Sequence, residues 1–231
     1  MNIDPLEKEK FNNIADEWWD PDGKFAPLHK INPLRSEYIA GKIDLNNKKV
    51  LDVACGGGLL SEALNAKGAT VVGVDISEVA IHTAKTHSDK SNLDITYKIC
   101  EAEELLPQEK NTYDVVTCLE AIEHVPDPEK LVKTCSELCK NGGSVVFSTI
   151  NRNPKSFLFA IIGAEYILNL LPIGTHEFNK FIKPSELSKM MRNNNLEVQE
   201  LIGMSYNPLT KNYWLGQNVD VNYIIYAKKK I

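Results

Sequence analysis

Lys49-Val50-Leu51-Asp52-Val53-Ala54-Cys55-Gly56-Gly57-Gly58-Leu59-Leu60 runs an apolar strand into a glycine-rich turn and on into a helix start. Three glycines remove every Cβ where backbone must come close to a ligand, and the helix that follows offers N–H donors without intrahelical partners. Further on, Val71-Val72-Gly73-Val74-Asp75 is a second apolar stretch that ends in an acid. A carboxylate at the end of a neighbouring strand, about 20 residues from the turn, is placed to accept hydrogen bonds from both hydroxyls of a ribose. Together the turn, with Gly56 at its centre, and Asp75 form the pattern of an α/β cofactor site.

The kind of cofactor can be narrowed. A dinucleotide turn, G-x-G-x-x-G, requires glycine at 54, 56 and 59, and the chain has Ala54 and Leu59 there. A pyrophosphate thereby loses its usual seat. A molecule with a ribose, an adenine and a small charged amino-acid tail needs only a flat, close backbone, which points to S-adenosylmethionine.

At 231 residues, 43 % hydrophobic and 25 % charged, the chain is long enough for one sizeable core with a cap or insertion. The net charge of −5 supplies no basic surface for phosphate, which disfavours nucleic acid and favours a small acceptor. Five cysteines, Cys55, Cys100, Cys118, Cys135 and Cys139, lie mostly within apolar patterns and lack C-x-x-C spacing, as reduced buried thiols do. The first ten residues carry neither a signal-peptide run nor a transit pattern, so the expected location is cytoplasmic.

Strand and helix patterns alternate at 49–53, 58–67, 70–74, 77–87, 94–99, 113–118, 128–139 and 144–149, which implies right-handed crossovers and a parallel sheet with helices on both faces. After a helix at 184–193, strands near 196–204 and 220–228 are expected as an antiparallel hairpin at one edge, making seven strands. The chain is read as one domain: a helical segment (1–45), a cofactor core (46–150), an apolar cap (151–183) and a terminal helix with the hairpin (184–231). In the first segment Trp18 and Trp19 read as a packing anchor. Asn32 is a suitable N-cap with Pro33 as first helical residue, which would put Arg35 in a first turn.

Asp52, Asp75, Glu101 and Glu120 all fall at or just beyond strand ends, where such sheets bind ligands. In Leu119-Glu120-Ala121-Ile122-Glu123-His124-Val125, two carboxylates and an imidazole are close enough to converge on one side of a turn. They could hold a divalent cation that favours a phenolate, or His124 could act alone as general base. Residues 156–172 are apolar almost throughout but are interrupted by Glu165 and stopped by Pro172, short of the roughly 20 residues a spanning helix needs. They read either as a membrane-touching lid over the acceptor or as a buried core helix.

These residues resemble the class I S-adenosylmethionine-dependent methyltransferases, with their Rossmann-like sheet. The finer pattern is similar to the ubiquinone biosynthesis O-methyltransferases: His29 to Arg35, Glu120 to Val125, Ser148 to Asn153, Gly163 to Leu168, Gly174-Thr175-His176, Lys180 to Pro184, and Val219-Asp220-Val221-Asn222-Tyr223. The resemblance covers nearly the whole chain. It implies that Arg35, Ala54, Asp75 and Leu119 contact the cofactor, with Arg35 a partner for its carboxylate, and that Glu120, Glu123 and His124 hold a magnesium-type ion, Glu120 and His124 being the catalytic candidates. It implies O-methylation of polyprenylated phenols or catechols at two steps of a quinone pathway, with peripheral membrane contact through the cap and a place beside other enzymes of that pathway. Two departures stand out. The family usually has glycine where Ala54 stands, which is tolerable at negative φ, and Leu119 replaces what is often methionine or serine. Other readings of the same residues are a methyltransferase for another small phenol or carbon acid, and a non-catalytic cofactor-binding component of a membrane-associated complex.

Overall fold

The structure is a computed structural model, and it describes residues 2, 5, 9, 12, 17–157, 178–207 and 209–231. The elements run α1 (Ala26–Lys42), β1 (Lys49–Val53), α2 (Leu59–Asn65), β2 (Thr70–Asp75), α3 (Glu78–Lys90), β3 (Ile95–Ile99), β4 (Tyr113–Leu119), α4 (Pro128–Leu138), β5 (Cys139–Ile150), α5 (Pro184–Asn193), β6 (Leu196–Asn207), β7 (Asn212–Gly216) and β8 (Asn222–Lys229). They form a sheet in the order β3-β2-β1-β4-β5-β8-β6-β7. The first five strands are parallel and the rest antiparallel.

Alternate residues along each central strand divide the core. Leu51, Val53, Val72, Val74, Val116, Cys118, Val145 and Phe147 pack with α4 and α5, whereas Val50, Val71, Val115 and Val146 pack with α1 and α2. Both faces of the parallel strands are therefore covered, which is why their sequences read as continuous apolar runs. All five cysteines are reduced, and four of them are buried.

The expected seven strands gain an eighth. Asn212–Gly216, within the polar stretch expected to be loop, pairs with β6 on its outer side, so β6 lies between β7 and β8 rather than at the edge. The N-terminal helix also differs from expectation. It starts at Ala26 after Phe25, with Pro27 in its first turn, and Pro33 lies inside it. Asn32 cannot serve as the N-cap because its amide donates to the Leu59 carbonyl at 2.8 Å. Arg35 accordingly sits in the body of α1, on the buried stripe of Ile31, Arg35, Tyr38 and Ile39. Most of the apolar cap lies outside the described residues. Among those described, no helix is long and apolar enough to cross a membrane.

The turn after β1 is left-handed at three points: Ala54 (φ 55°), Gly56 (φ 53°) and Gly58 (φ 88°). Ala54 thus lacks the negative φ under which its methyl group would be strain-free, and a left-handed L-residue costs about 1–2 kcal/mol. Beneath the turn, Asp52 is buried, with Ser61 Oγ donating to Oδ2 at 2.7 Å and Thr117 Oγ1 donating to Oδ1 at 2.8 Å. Burial outweighs these hydrogen bonds and pushes its carboxyl up from the usual 3.8 to about 6.

Ala54→Gly is expected to stabilise the protein by about 0.5–1 kcal/mol, the left-handed strain less the backbone entropy of glycine, seen as a Tm rise of about 2 °C. Asp52 makes a second prediction. A carboxyl raised in the fold contributes its full stability below its unfolded pKa and loses it as pH climbs through the folded value. Melts of the unaltered chain and of Asp52→Asn should converge near the ordinary 3.8 and separate in favour of the variant by about pH 6.

Candidate active site

At the carboxyl end of β2, Asp75 Oδ2 accepts from the Gly56 N–H at 2.9 Å and Oδ1 from the Ser77 N–H at 2.8 Å. The Cys55 N–H donates to the Val74 carbonyl at 3.0 Å. The glycine turn and the acid are thereby one unit, with Ser77 capping α3 through the Ala80 N–H. This is the juxtaposition that the sequence pattern anticipates for an adenosyl cofactor.

Trp18 and Trp19 anchor the chain start to that same turn. A Cβ on Gly56 or Gly57 would lie 2.1 or 2.2 Å from carbons of the Trp18 indole, so both positions need glycine for this contact alone. Trp19 Nε1 donates to the Gly57 carbonyl at 2.8 Å, and its ring stacks on His87 with centroids 3.3 Å apart. His87 in turn meets Glu62 Oε1 at 2.8 Å.

The second half of the site gathers around Glu120, immediately after β4. It is held at φ 55°, with its N–H donating to the Ser148 carbonyl at 3.0 Å. Arg35 Nη2 forms a buried ion pair with Glu120 Oε1, and Ser148 Oγ donates to the same oxygen at 2.6 Å. Asn222 Nδ2, from the first residue of β8, donates to both Oε1 and Oε2 at 3.0 Å. Leu119, just before it, is half-buried and packs on the side of the sheet that α1 covers. Arg35 is only 6 % exposed, and its Nε has no hydrogen-bond partner among the described residues.

Glu123 and His124 lie in the short helical turn Ile122–His124. Glu123 is buried, with Thr149 Oγ1 donating to Oε2 at 2.8 Å, while Oε1 has no partner among the described residues. Burial, reinforced by the Glu120 charge and offset by His124, raises its carboxyl above the usual range. His124 is half-buried, and its N–H donates to the Ala121 carbonyl at 3.0 Å.

The expected sharing of a cation by Glu120, Glu123 and His124 does not appear. Among the described residues, no three His, Cys, Asp or Glu side chains are grouped to hold a metal ion. The physical reason is that Glu120 faces Arg35, Ser148 and Asn222, all donors, and Glu123 faces Thr149; a cation there would have to displace N–H and O–H groups. Ser148, Thr149 and Asn222, which hold the two acids, fall in stretches that the sequence singled out, but nothing in the sequence signalled those partnerships.

Comparisons with known proteins establish the family and the fold. Residues 27–201 match the family model described as a methyltransferase domain. A curated relative from Nitrosospira multiformis, the "Ubiquinone biosynthesis O-methyltransferase", is 57 % identical over 97 % of this chain and 94 % of its own. The protein of the same name from Saccharophagus degradans is 51 % identical over 99 % and 98 %. Among solved structures, the magnesium protoporphyrin IX methyltransferase of Synechocystis with bound SAH superposes with a TM-score of 0.71 over 97 % of this chain and 99 % of that one, at 18 % identity, a likeness of fold alone. By sequence over almost its full length, the chain belongs to the methyltransferases, within the family of ubiquinone biosynthesis O-methyltransferases.

Proposed function

We propose that this protein transfers the methyl group of S-adenosylmethionine to phenolic oxygens of polyprenylated ring compounds in ubiquinone biosynthesis, converting 2-polyprenyl-6-hydroxyphenol to its methoxy form and 3-demethylubiquinol to ubiquinol. The observation that carries the reading is the single unit made by the 54–58 turn and Asp75, with five strands of parallel sheet beneath it and the buried Arg35 paired to Glu120 just after the neighbouring strand β4. The relatives at 57 % and 51 % identity support the choice of acceptor.

In this reading Gly56 and Ala54 give the cofactor a close backbone, Asp75 takes the ribose hydroxyls and Arg35 the carboxylate, with Leu119 forming the wall beside the methionine tail. His124 takes the phenolic proton as the methyl group leaves sulfur for oxygen, an imidazole being matched to that task near neutral pH. Glu120 keeps Arg35 and Asn222 in place. A divalent ion has no ready seat here, and no step is assigned to one. The acceptor's isoprenoid tail is proposed to reach the site from a membrane surface past residues 156–172, with the protein cytoplasmic and peripheral.

Purified protein should transfer labelled methyl to a polyprenyl catechol, and no product at any pH would refute the proposal. His124→Ala should lower kcat by roughly 10²–10⁴ while S-adenosylhomocysteine binding measured by calorimetry stays nearly constant. Arg35→Lys keeps the charge but loses the planar fork, and should weaken cofactor binding by about tenfold, as expected for one charge-assisted hydrogen bond. Titration of magnesium into the cofactor-free protein should give millimolar or weaker binding, because the oxygens of Glu120 already accept from three side chains.

A further inference from the structure

Asn222 presents a polar atom that none of the described residues uses. Its Nδ2 donates to both oxygens of Glu120 at 3.0 Å, and this fixes the amide, since the flipped rotamer would set a carbonyl oxygen against a carboxylate. Oδ1 therefore points away from Glu120. It is buried and accepts no hydrogen bond among the described residues.

Two further orphaned atoms lie on side chains of the same neighbourhood: Arg35 Nε, a donor, and Glu123 Oε1, an acceptor. Buried polar atoms without partners are few in folded proteins, and each is costly to leave unpaired. One such donor and two such acceptors around Glu120 make a place where a polar ligand completes the pairing.

The sheet order separates their roles. Asp75 ends β2, and Asn222 begins β8, four strands away in the order β2-β1-β4-β5-β8, or roughly 19 Å at the usual strand spacing. The ribose is at one end of this row, so Asn222 stands on the acceptor side. It is opposite Ile150 at the end of β5, one pair along from Thr149, whose hydroxyl holds Glu123. A buried carbonyl oxygen there calls for a hydrogen-bond donor, which a ring hydroxyl can supply.

We propose that Asn222 is a specificity-determining residue that reads the acceptor's second hydroxyl: its Oδ1 accepts a hydrogen bond from the ring hydroxyl next to the oxygen being methylated. This rests on the proposed catechol-type acceptor and deepens it, naming the residue that tells such a ring from a simple phenol. With the neighbouring hydroxyl held, the ring cannot turn within its plane, and the other oxygen is kept in line with the sulfonium methyl. A phenol without the second hydroxyl leaves Oδ1 unpaired, and sites of this kind reject such analogues strongly.

The test is calorimetric binding to the full chain loaded with S-adenosylhomocysteine. The probes are a geranylated catechol and the matching phenol that lacks the second hydroxyl, each offered to the unaltered protein, Asn222→Ala and Asn222→Ser. The unaltered protein should prefer the catechol by at least about tenfold, the equivalent of one hydrogen bond. Both variants should shrink the preference to threefold or less while their affinity for the simple phenol changes little. Persistence of the preference in either variant overturns the proposal. So does loss of S-adenosylhomocysteine binding in both variants, which would make Asn222 a support for Arg35 alone. If the unaltered protein binds S-adenosylhomocysteine but neither ring compound, the phenolic acceptor itself is wrong, and the assignment of Asn222 falls with it.

Discussion

The carboxylate of Glu120 is the constraint on which the rest of the site depends. It takes donors from three separate parts of the chain, Arg35 on α1, Ser148 on β5 and Asn222 on β8, while the backbone N–H of the same residue donates to the Ser148 carbonyl. Removing two charges from water costs several kcal/mol per ion, and the cost is recovered only where the remaining lone pairs find good partners. Here they do, so the ion pair fixes where α1 crosses the sheet and where β8 begins. The left-handed backbone at Glu120 is part of the same arrangement, because a side chain leaving β4 in the ordinary extended direction would point into one face of the sheet instead of across its end.

A second anchor works at the other end of the row of strands. Asp75 ties the glycine turn to α3, and the two tryptophans clamp the chain start onto the same turn. Gly56 and Gly57 therefore leave to Trp18 the space that a side chain would occupy. Sequence motifs of this type are usually explained by the ligand alone, yet in this protein the indole by itself is enough to exclude alanine at both positions.

Much of this was legible in the residues. Apolar runs at 49–53, 70–74 and 113–118 could only be strands buried on both faces, and the pairing of a glycine turn with Asp75 follows from strand adjacency. What the sequence withheld has common physical roots. Asn32 and Pro33 carry a correct local signal for a helix start, but the tertiary bond from Asn32 to the Leu59 carbonyl overrides it and the helix continues through the proline. β7 is short, and its apolar residues Tyr213, Trp214 and Leu215 are consecutive and show no alternation, so the pairing with β6 is what makes it a strand. Asn222 and Glu120 are 102 residues apart, and no spacing rule reaches that far. The acids at 120 and 123 look like cation ligands until their actual neighbours, which are donors, are known.

Asn222 belongs to the eighth strand in chain order, yet that strand is inserted between β5 and β6 in the interior of the sheet. The β6–β7 pair is therefore joined to the five parallel strands through β8 alone. Fraying of that one strand would part the antiparallel strands from the parallel ones and release Asn222 from Glu120 in the same event.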